Sequence, residues 1–245
     1  MENELIFGIH PVAAALDRSP EGILSAWCLA GSDGRAAELA GSLADLGISV
    51  QMVPRRTLDN MTGGATHQGI VIRMRTAPQP GDNELLELVA GLEKPLILVL
   101  DGVTDPHNLG ACLRSADGAG VNAVVVPRDH SASLTGTVRK VACGAAETVP
   151  FFAVTNLSRI LKELKKRGIW VVGTAGEAED LVYGADLTGA VAVVMGAEDR
   201  GMRRLTRENC DQLVKIPMKG SVSSLNVSVA AGIILYEAVR QRLGA

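Results

Sequence analysis

Three polar segments of the chain carry side chains that can bind a ligand, and each segment follows an apolar run. The first, 101–114, contains Asn108, which offers both a donor and an acceptor, and Arg114, whose guanidinium suits phosphate. The second, 196–201, is a glycine-bounded turn around a carboxylate, and the third, 216–228, is a loop of small polar residues. Because ligands gather at the carboxyl ends of strands in an open α/β sheet, we expect the segments to share one site. Its candidate residues are Asn108, Arg114, Glu198, Ser224 and Asn226.

Each segment also has a purely structural interpretation. Asn108 could cap the helix that follows it, and Arg114 could be a solvated surface charge. Glu198 could flank the N-terminus of a helix at 202–210, where a carboxylate is favoured electrostatically. Residues 223–226 could form an N-cap, although so many small polar residues exceed what one cap needs. The residues alone leave these alternatives open.

The elements that must position the segments fall into two parts of an α/β protein. Residues 4–75 read as a small α/β unit, and 76–81, with two prolines and a glycine, reads as a linker. From residue 95, continuous apolar runs alternate with helical stretches, which is typical of a parallel sheet covered on both faces. We therefore expect a domain at 1–76, a linker and short helix at 77–94, and a larger domain at 95–245.

The expected elements follow from hydrophobic spacing and from Gly and Pro breaks. Strands are expected at 5–7, 25–29, 48–53, 69–74, 95–100, 123–126, 169–172, 191–195 and 213–216. Helices are expected at 11–16, 35–46, 83–91, 109–119, 135–142, 156–167, 202–210 and 225–240.

Composition argues against several classes of nucleic-acid and nucleotide-binding protein. The formal net charge is -3, so any RNA binding must depend on local clusters. Aromatic residues make up only 3%, which leaves little material for a base-stacking platform. Neither a G-x-G-x-x-G after a strand nor a G-x-x-x-x-G-K-[ST] occurs, so a dinucleotide or P-loop site loses support.

Cysteines and histidines give no indication of a metal site. The sequence has no C-x-x-C pair, and its four histidines lack metal-ligand spacing. We expect no metal and buried free thiols in a reducing compartment, at Cys28, Cys112, Cys143 and Cys210. With no secretory signal pattern and no apolar stretch of about 18 residues, we expect a cytoplasmic protein without a membrane span.

In their order and residues, the three segments resemble the three motifs of the SpoU/TrmH branch of the SPOUT methyltransferases. The matching stretches are Asn108 to Arg114, Gly196-x-Glu198-x-x-Gly201, and Ile216-Pro-Met through Ser224-Leu-Asn226. Phe7 to His10 and His67 to Ile70 look like the family's substrate-binding domain, so the similarity covers nearly the whole chain. Asp199-Arg200 departs from relatives that often carry smaller or less charged residues there.

The resemblance implies an enzyme that transfers a methyl group from S-adenosylmethionine to a guanosine ribose 2'-hydroxyl of 23S ribosomal RNA, in the peptidyl-transferase loop. A tRNA or another rRNA site is the alternative, and a non-catalytic RNA-binding protein is a further rival. The resemblance also implies a homodimer, a C-terminal trefoil knot and an N-terminal L30e-like, ribosomal-protein-like domain that binds RNA. Implied catalytic residues are Asn108, Arg114, Glu198, Ser224 and Asn226, and implied cofactor-binding residues are Thr174, Gly196, Ile216, Met218 and Leu225.

Arg114 matches the residue to which the family assigns activation of the hydroxyl. An arginine is an awkward base because its pKa lies above about 12. Arg114 could be neutralised in a buried site when RNA binds, or it could stay charged, hold the adjacent phosphate and stabilise the developing alkoxide. We favour the second role.

Overall fold

The computed structural model describes residues 3–75 and 80–244, and the chain divides into two compact units. The first unit comprises Met1–Pro78 together with Leu134–Thr148, and the second comprises Gln79–Ser133 together with Val149–Ala245. Residues 76–79 of the expected linker lie outside the described residues.

The helices and strands are named here in chain order. The strands are β1 (Asn3–Phe7), β2 (Ile23–Leu29), β3 (Val50–Val53), β4 (Ile70–Arg75), β5 (Leu96–Asp101), β6 (Ala123–Pro127), β7 (Phe151–Val154), β8 (Trp170–Thr174), β9 (Asp180–Leu181), β10 (Val191–Gly196) and β11 (Gln212–Lys215). The helices are α1 (Ile9–Arg18), α2 (Gly34–Asp45), α3 (Arg55–Met61), α4 (Asp82–Ala90), α5 (Pro106–Gly118), α6 (Gly136–Ala142), α7 (Ala145–Thr148), α8 (Leu157–Lys166), α9 (Arg204–Glu208) and α10 (Val227–Arg242). Short 3-10 turns span Pro20–Gly22 and Val182–Gly184.

The first unit is a mixed sheet in the order β1-β4-β2-β3, in which only β2 and β3 are parallel. Alternating side chains of the strands enter two apolar clusters, since successive strand residues point to opposite faces. One cluster joins Ile6 and Ile72 to α1 and α2, and the other joins Phe7 and Val71 to α3. In the segment 134–148, Arg139 forms ion pairs with Glu4 (2.8 Å) and Glu147 (2.5 Å).

The second unit contains a seven-stranded sheet in the order β7-β6-β5-β10-β8-β11-β9, and every neighbouring pair is parallel. All six residues of β5 are buried, as expected for a strand covered on both faces. Gly196 at the end of β10 lies in register with Asp101 at the end of β5. The turns that follow these two strands therefore begin side by side.

The structure confirms the α/β class and the expected parallel sheet, with local corrections. The sequence interpretation missed α3, α7, β7 and β9, all of them seven residues or shorter. The helix expected at 202–210 is only five residues long, because Met202 and Arg203 continue the preceding turn. The four thiols are free, but the expectation that all are buried was wrong: Cys143, at the left-handed end of α6, is exposed, and Cys210 is half-buried.

Candidate active site

The three polar segments meet in the second unit through a cluster of three side chains, which we call the Glu198 cluster (Asn108, Glu198 and Asn226). Asn108 Nδ2 donates to Glu198 Oε2 at 3.0 Å, and Asn226 Nδ2 donates to Glu198 Oε1 at 2.7 Å. Asn226 Nδ2 also donates to Asn108 Oδ1 at 2.9 Å. Residues that are 90 and 118 positions apart in the chain thus form one closed hydrogen-bonded ring.

Two main-chain N–H groups fix the direction of the hydrogen bonds in the cluster. Ser228 N donates to Asn226 Oδ1 at 2.9 Å, so the amide nitrogen of Asn226 must point at its two partners. Val227 N donates to Glu198 Oε1 at 3.1 Å, so this oxygen is an acceptor. A main-chain N–H can only donate a hydrogen bond, so the atom that faces it must be an oxygen. The orientation of both asparagine amides follows from this.

The structure shows which of these residues cap or flank a helix. Asp105, not Asn108, caps α5, with its carboxylate accepting from His107 N at 2.9 Å. Asn226 does cap α10, and its amide nitrogen is available for the cluster because the cap uses only the oxygen. Glu198 contacts the first turn of α10 rather than that of α9. Asn226 therefore caps α10 and at the same time belongs to the Glu198 cluster.

A tight turn after β10 presents Glu198. Ala197 and Gly201 exchange two main-chain hydrogen bonds, of 3.1 and 2.8 Å, and Gly201 has a φ of +66°, a region that favours glycine. A Cβ on Gly196 would lie 2.2 Å from both Gly201 C and Met202 N. Such an approach is possible only without a side chain, so glycine at 196 allows the turn to fold back on the strand.

A cavity of about 600 Å³, here called the first cavity, opens beside this turn. Its volume is in the range of small-molecule sites. Thr174 at the end of β8 also donates its hydroxyl to Val194 O at 3.1 Å. All five residues that the resemblance implies for the cofactor line this one cavity: Thr174, Gly196, Ile216, Met218 and Leu225.

A smaller second cavity, of about 170 Å³, lies on the other side of the same turn. Its lining includes Asn108, Gly102 and the exposed Arg200. Ala197, Glu198 and Val227 line both cavities. The Glu198 turn is therefore the wall that separates two spaces, of which the larger can take a small molecule.

The remaining predicted residues lie nearer to the solvent. Ser224 is exposed and lines the first cavity. Arg114 is exposed on α5, six residues beyond Asn108, and lines neither cavity. The structure thus joins three of the five candidates directly, places Ser224 at the first cavity and puts Arg114 in the lining of neither cavity.

Cys112, on α5 near the Glu198 cluster, is not a reactive thiol. Burial, and secondly the charge of Glu198, raise the pKa of Cys112 to about 12. A thiol with such a pKa stays protonated near neutral pH, and the thiolate is the nucleophilic form. We therefore exclude Cys112 as a nucleophile in this site.

In the first unit, the two segments that look like a substrate-binding domain contact each other. Gln68 Oε1 accepts from Ile9 N at 3.0 Å, and Gly8 N donates to Ile70 O at 3.3 Å. His67 is buried, with Nε2 3.1 Å from Asp59 Oδ1 and Nδ1 accepting from Gly69 N at 3.1 Å. Both ring nitrogens are engaged, so His67 supports a turn and is not available as an RNA contact.

Sequence reasoning missed two charged residues that anchor the Glu198 turn. Asp101 Oδ1 pairs with Arg203 Nε at 2.6 Å, and Asp101 Oδ2 accepts from Arg203 N at 2.8 Å. The Asp101 side chain is 0% exposed, which indicates a specific partner, since buried charges are normally paired. A carboxylate directly after a fully apolar strand was the available signal.

Known proteins resemble the chain over both units. The SpoU rRNA Methylase family matches residues 95–236, and the description "RNA 2'-O ribose methyltransferase substrate binding" matches residues 5–80. A 23S rRNA (guanosine-2'-O-)-methyltransferase RlmB of Vibrio vulnificus is 59% identical over 244 residues, covering 99% of both chains. The RlmB of Escherichia coli K12 is 56% identical over 241 residues, covering 98% of this chain and 99% of the relative.

The fold agrees with that of solved enzymes. The SpoU methyltransferase AviRb from Streptomyces viridochromogenes, solved in complex with the cofactor AdoMet, superposes with a TM-score of 0.84 at 26% identity. The match covers 99% of this chain and 91% of AviRb. From its matched segments, its near full-length relatives and this fold, the chain belongs to the SpoU rRNA Methylase family.

Proposed function

We propose that this protein transfers a methyl group from S-adenosylmethionine to the ribose 2'-hydroxyl of a guanosine in the peptidyl-transferase loop of 23S rRNA. The observation that carries the proposal is the convergence of three distant segments on the Glu198 cluster, beside a cavity of ligand size. Relatives named as 23S rRNA guanosine-2'-O-methyltransferases are 56–59% identical over nearly the whole chain and support this substrate.

The first cavity suits S-adenosylmethionine, and Thr174, Gly196, Ile216, Met218 and Leu225 would hold it. Apolar side chains offer a surface for a flat ring, while the surrounding turns contribute main-chain polar groups. When bound, the cofactor supplies a methyl group on a cationic sulfur, which is already a good leaving group. The protein must therefore mainly position and activate the ribose oxygen.

The roles of the polar side chains follow from their contacts. Glu198 holds Asn108 and the start of α10 in a fixed relation, and Ser224 offers a hydroxyl at the mouth of the first cavity. Arg114 is exposed, which supports a charged role: it holds the RNA phosphate and stabilises the alkoxide. A general-base role would instead require a buried, neutralised guanidinium.

We further propose a homodimer that uses the solvent face of α10. Val229 and Tyr236 on this helix and Leu243 at its C-cap recur every seven residues and are 51%, 54% and 78% exposed. Such spacing places them on one stripe of the helix, and an exposed apolar stripe is typical of a docking surface.

We also assign a trefoil knot to the region from β10 to α10; the insertion of β10 between the earlier strands β5 and β8 supports it.

The remaining assignments concern domains and surroundings. We propose that 1–76 is an L30e-like RNA-binding domain, 77–94 a linker and short helix, and 95–245 the methyltransferase domain, of which Leu134–Thr148 belongs to the first compact unit. The family matches at 5–80 and 95–236 support this division. A cytoplasmic location accords with the ribosomal RNA named as substrate of the relatives. None of the helices within 3–75 and 80–244 has both the length and the apolar character of a membrane span, and the same residues contain no cluster of three or more His, Cys, Asp or Glu suited to a metal.

In the decisive experiment, purified protein is incubated with S-adenosylmethionine carrying a labelled methyl group. Fragments of 23S rRNA are added in one set of reactions and tRNA in another. We expect label in the peptidyl-transferase-loop fragment, mapped to a guanosine 2'-oxygen, and none in tRNA. Label in tRNA alone would support the alternative substrate. Binding of RNA without binding of S-adenosylmethionine would indicate a non-catalytic RNA-binding protein and refute the proposal.

A further inference from the structure

A third opening in the second unit, here called the side cleft, has no role in the site described above. It has a volume of about 430 Å³ and lies where β6 and β7 end. In parallel α/β sheets this edge is where ligands bind. Its lining combines Asp129 and His130 with the start of α8 and with Arg203 and Arg204.

Arg203 is held in the side cleft as a preoriented donor. Its Nε and main-chain N–H are both bound by the buried carboxylate of Asp101, at 2.6 and 2.8 Å. Within the described ranges, its two terminal amino groups have no hydrogen-bond partner, and the side chain is 45% exposed. A guanidinium fixed at one edge and open at the other presents a fork of donors that matches phosphate oxygens.

The other charged residues of the lining leave Arg203 as the main anion contact. Arg204 pairs with Glu208 at 2.6 Å and is 76% exposed. Asp129 adds a carboxylate, which can accept from base amino groups but not from phosphate. Leu157 and Ser158, at the start of α8, also line the cleft. Their main-chain N–H groups have no acceptor among the described residues, so they add hydrogen-bond donors with partial positive charge, as Arg203 does.

The side cleft lies near the second cavity, which Asn108 and Glu198 line. A Cβ on Gly102, which lines the second cavity, would lie 3.9 Å from His130 O and 3.8 Å from Arg200 Nη2. Ala132 N also donates to Val103 O at 2.9 Å. A chain whose ribose lies at the Glu198 cluster can therefore place a neighbouring nucleotide in the side cleft.

We propose that the side cleft binds one nucleotide of the RNA substrate next to the methylated one, with its backbone phosphate on the terminal amino groups of Arg203. The cleft volume accommodates a single nucleotide. This inference rests on the proposed function, because it assumes that RNA enters the Glu198 cluster. It adds a specific binding site outside the three motifs, built by Asp101 on β5 and Arg203 before α9.

The test compares Arg203→Ala and Arg203→Lys with Arg207→Ala as a matched control. Arg207 is 42% exposed, pairs with Glu177 and does not line the side cleft. Binding of a labelled 23S rRNA fragment is measured over a series of salt concentrations, together with the Kd for S-adenosylmethionine and the thermal stability of each variant. One lost phosphate contact reduces the slope of log K against log salt by about 0.7–0.9.

We expect Arg203→Ala to weaken RNA binding about tenfold and to reduce the salt slope by about one. Arg203→Lys should keep the slope, because the charge remains, but bind more weakly without the planar fork. An Arg203→Ala slope equal to those of wild type and Arg207→Ala would overturn the inference, even if turnover falls, since Arg203 would then only support the Glu198 turn. A wild type that binds no RNA fragment would overturn the proposed function as well.

Discussion

Glu198→Gln tests the central claim that a carboxylate organises the three segments. The side chain keeps its shape but replaces one acceptor oxygen by a donor NH2 group. If that group faces Asn226 and Val227, two donors lose their acceptor. If it faces Asn108, one donor–donor contact forms at the 3.0 Å position.

Reorienting the neighbouring amides cannot relieve this conflict. A flip of Asn108 would turn its Nδ2 toward Asn226 Nδ2, which now donates to Asn108 Oδ1 at 2.9 Å. A flip of Asn226 would turn its Nδ2 toward Ser228 N, which now donates to Asn226 Oδ1 at 2.9 Å. The mismatch is thus passed along the ring until it reaches a main-chain donor that has no alternative.

The expected loss in the free energy of unfolding has two parts. One hydrogen bond is lost, and the acceptor of two other hydrogen bonds changes from a charged to a neutral oxygen. Bonds to a charged group contribute about 1.5–3 kcal/mol and neutral ones about 1 kcal/mol. Because Glu198 is exposed, we take the low end and expect a loss of about 2 kcal/mol in the free energy of unfolding. For a chain of this size that corresponds to a fall in Tm of about 4–8 °C.

The assay is urea and thermal denaturation, with methyl transfer to RNA measured on the same samples. Glu208→Gln is the control, since Glu208 contacts Arg204 in an exposed i, i+4 pair and should change stability by about 0.5 kcal/mol or less. We expect turnover of Glu198→Gln to fall at least tenfold while Glu208→Gln retains it. Wild-type stability and turnover in Glu198→Gln would refute the idea that the carboxylate is the organising group.

Four further predictions address other parts of the structure. Arg114→Ala and Asn226→Ala should retain the far-UV circular dichroism spectrum and lose most methyl transfer; full activity in both would refute the site assignment. Gly196→Ala should cost about 3 kcal/mol and abolish cofactor binding by calorimetry, because a Cβ there would lie 2.2 Å from main-chain atoms. Hydrogen bonds from Arg240, and then from Gln241, lower the pKa of Glu237 to about 2. At pH values above the unfolded pKa, near 4.5, Glu237→Gln should therefore lower the free energy of unfolding by about 1 kcal/mol. This difference from wild type should shrink as the pH falls toward 2, measured by urea denaturation from pH 7 to 3. A difference that stays constant with pH would contradict this. Tyr236→Glu should convert a dimer to a monomer by light scattering, and an unchanged mass would exclude the α10 stripe as the interface.

The parts of the fold that the sequence predicted are those whose signals are local and long. Continuous apolar runs identified β5, β6, β8 and β10, because a strand covered on both faces is apolar along most of its length. The four-residue β7 and the seven-residue α3 have too few positions to show a period, and packing determines them instead. The placement of 134–148 in the first unit depends on contacts such as Arg139 with Glu4, which are remote in sequence.

The candidate site shows the same division. The rule that ligands lie at the carboxyl ends of parallel strands was enough to expect Asn108, Glu198 and Asn226 in one place, and the structure joins them. It could not show the pairing of Asp101 with Arg203, because the two residues are 102 positions apart and no sequence pattern links them. It also could not place Arg114 relative to the cluster, since side-chain direction on a helix depends on packing.

The turn that carries Glu198 is a partition shared by two compartments, and this has a thermodynamic consequence. Ala197, Glu198 and Val227 face both spaces, so a molecule bound on one side contacts the same residues as a molecule bound on the other. Any such heterotropic linkage is reciprocal: the factor by which the methyl donor alters RNA affinity must equal the factor by which RNA alters donor affinity. Two residues of the turn and the first residue of α10 therefore provide the shared surface through which such a linkage would act.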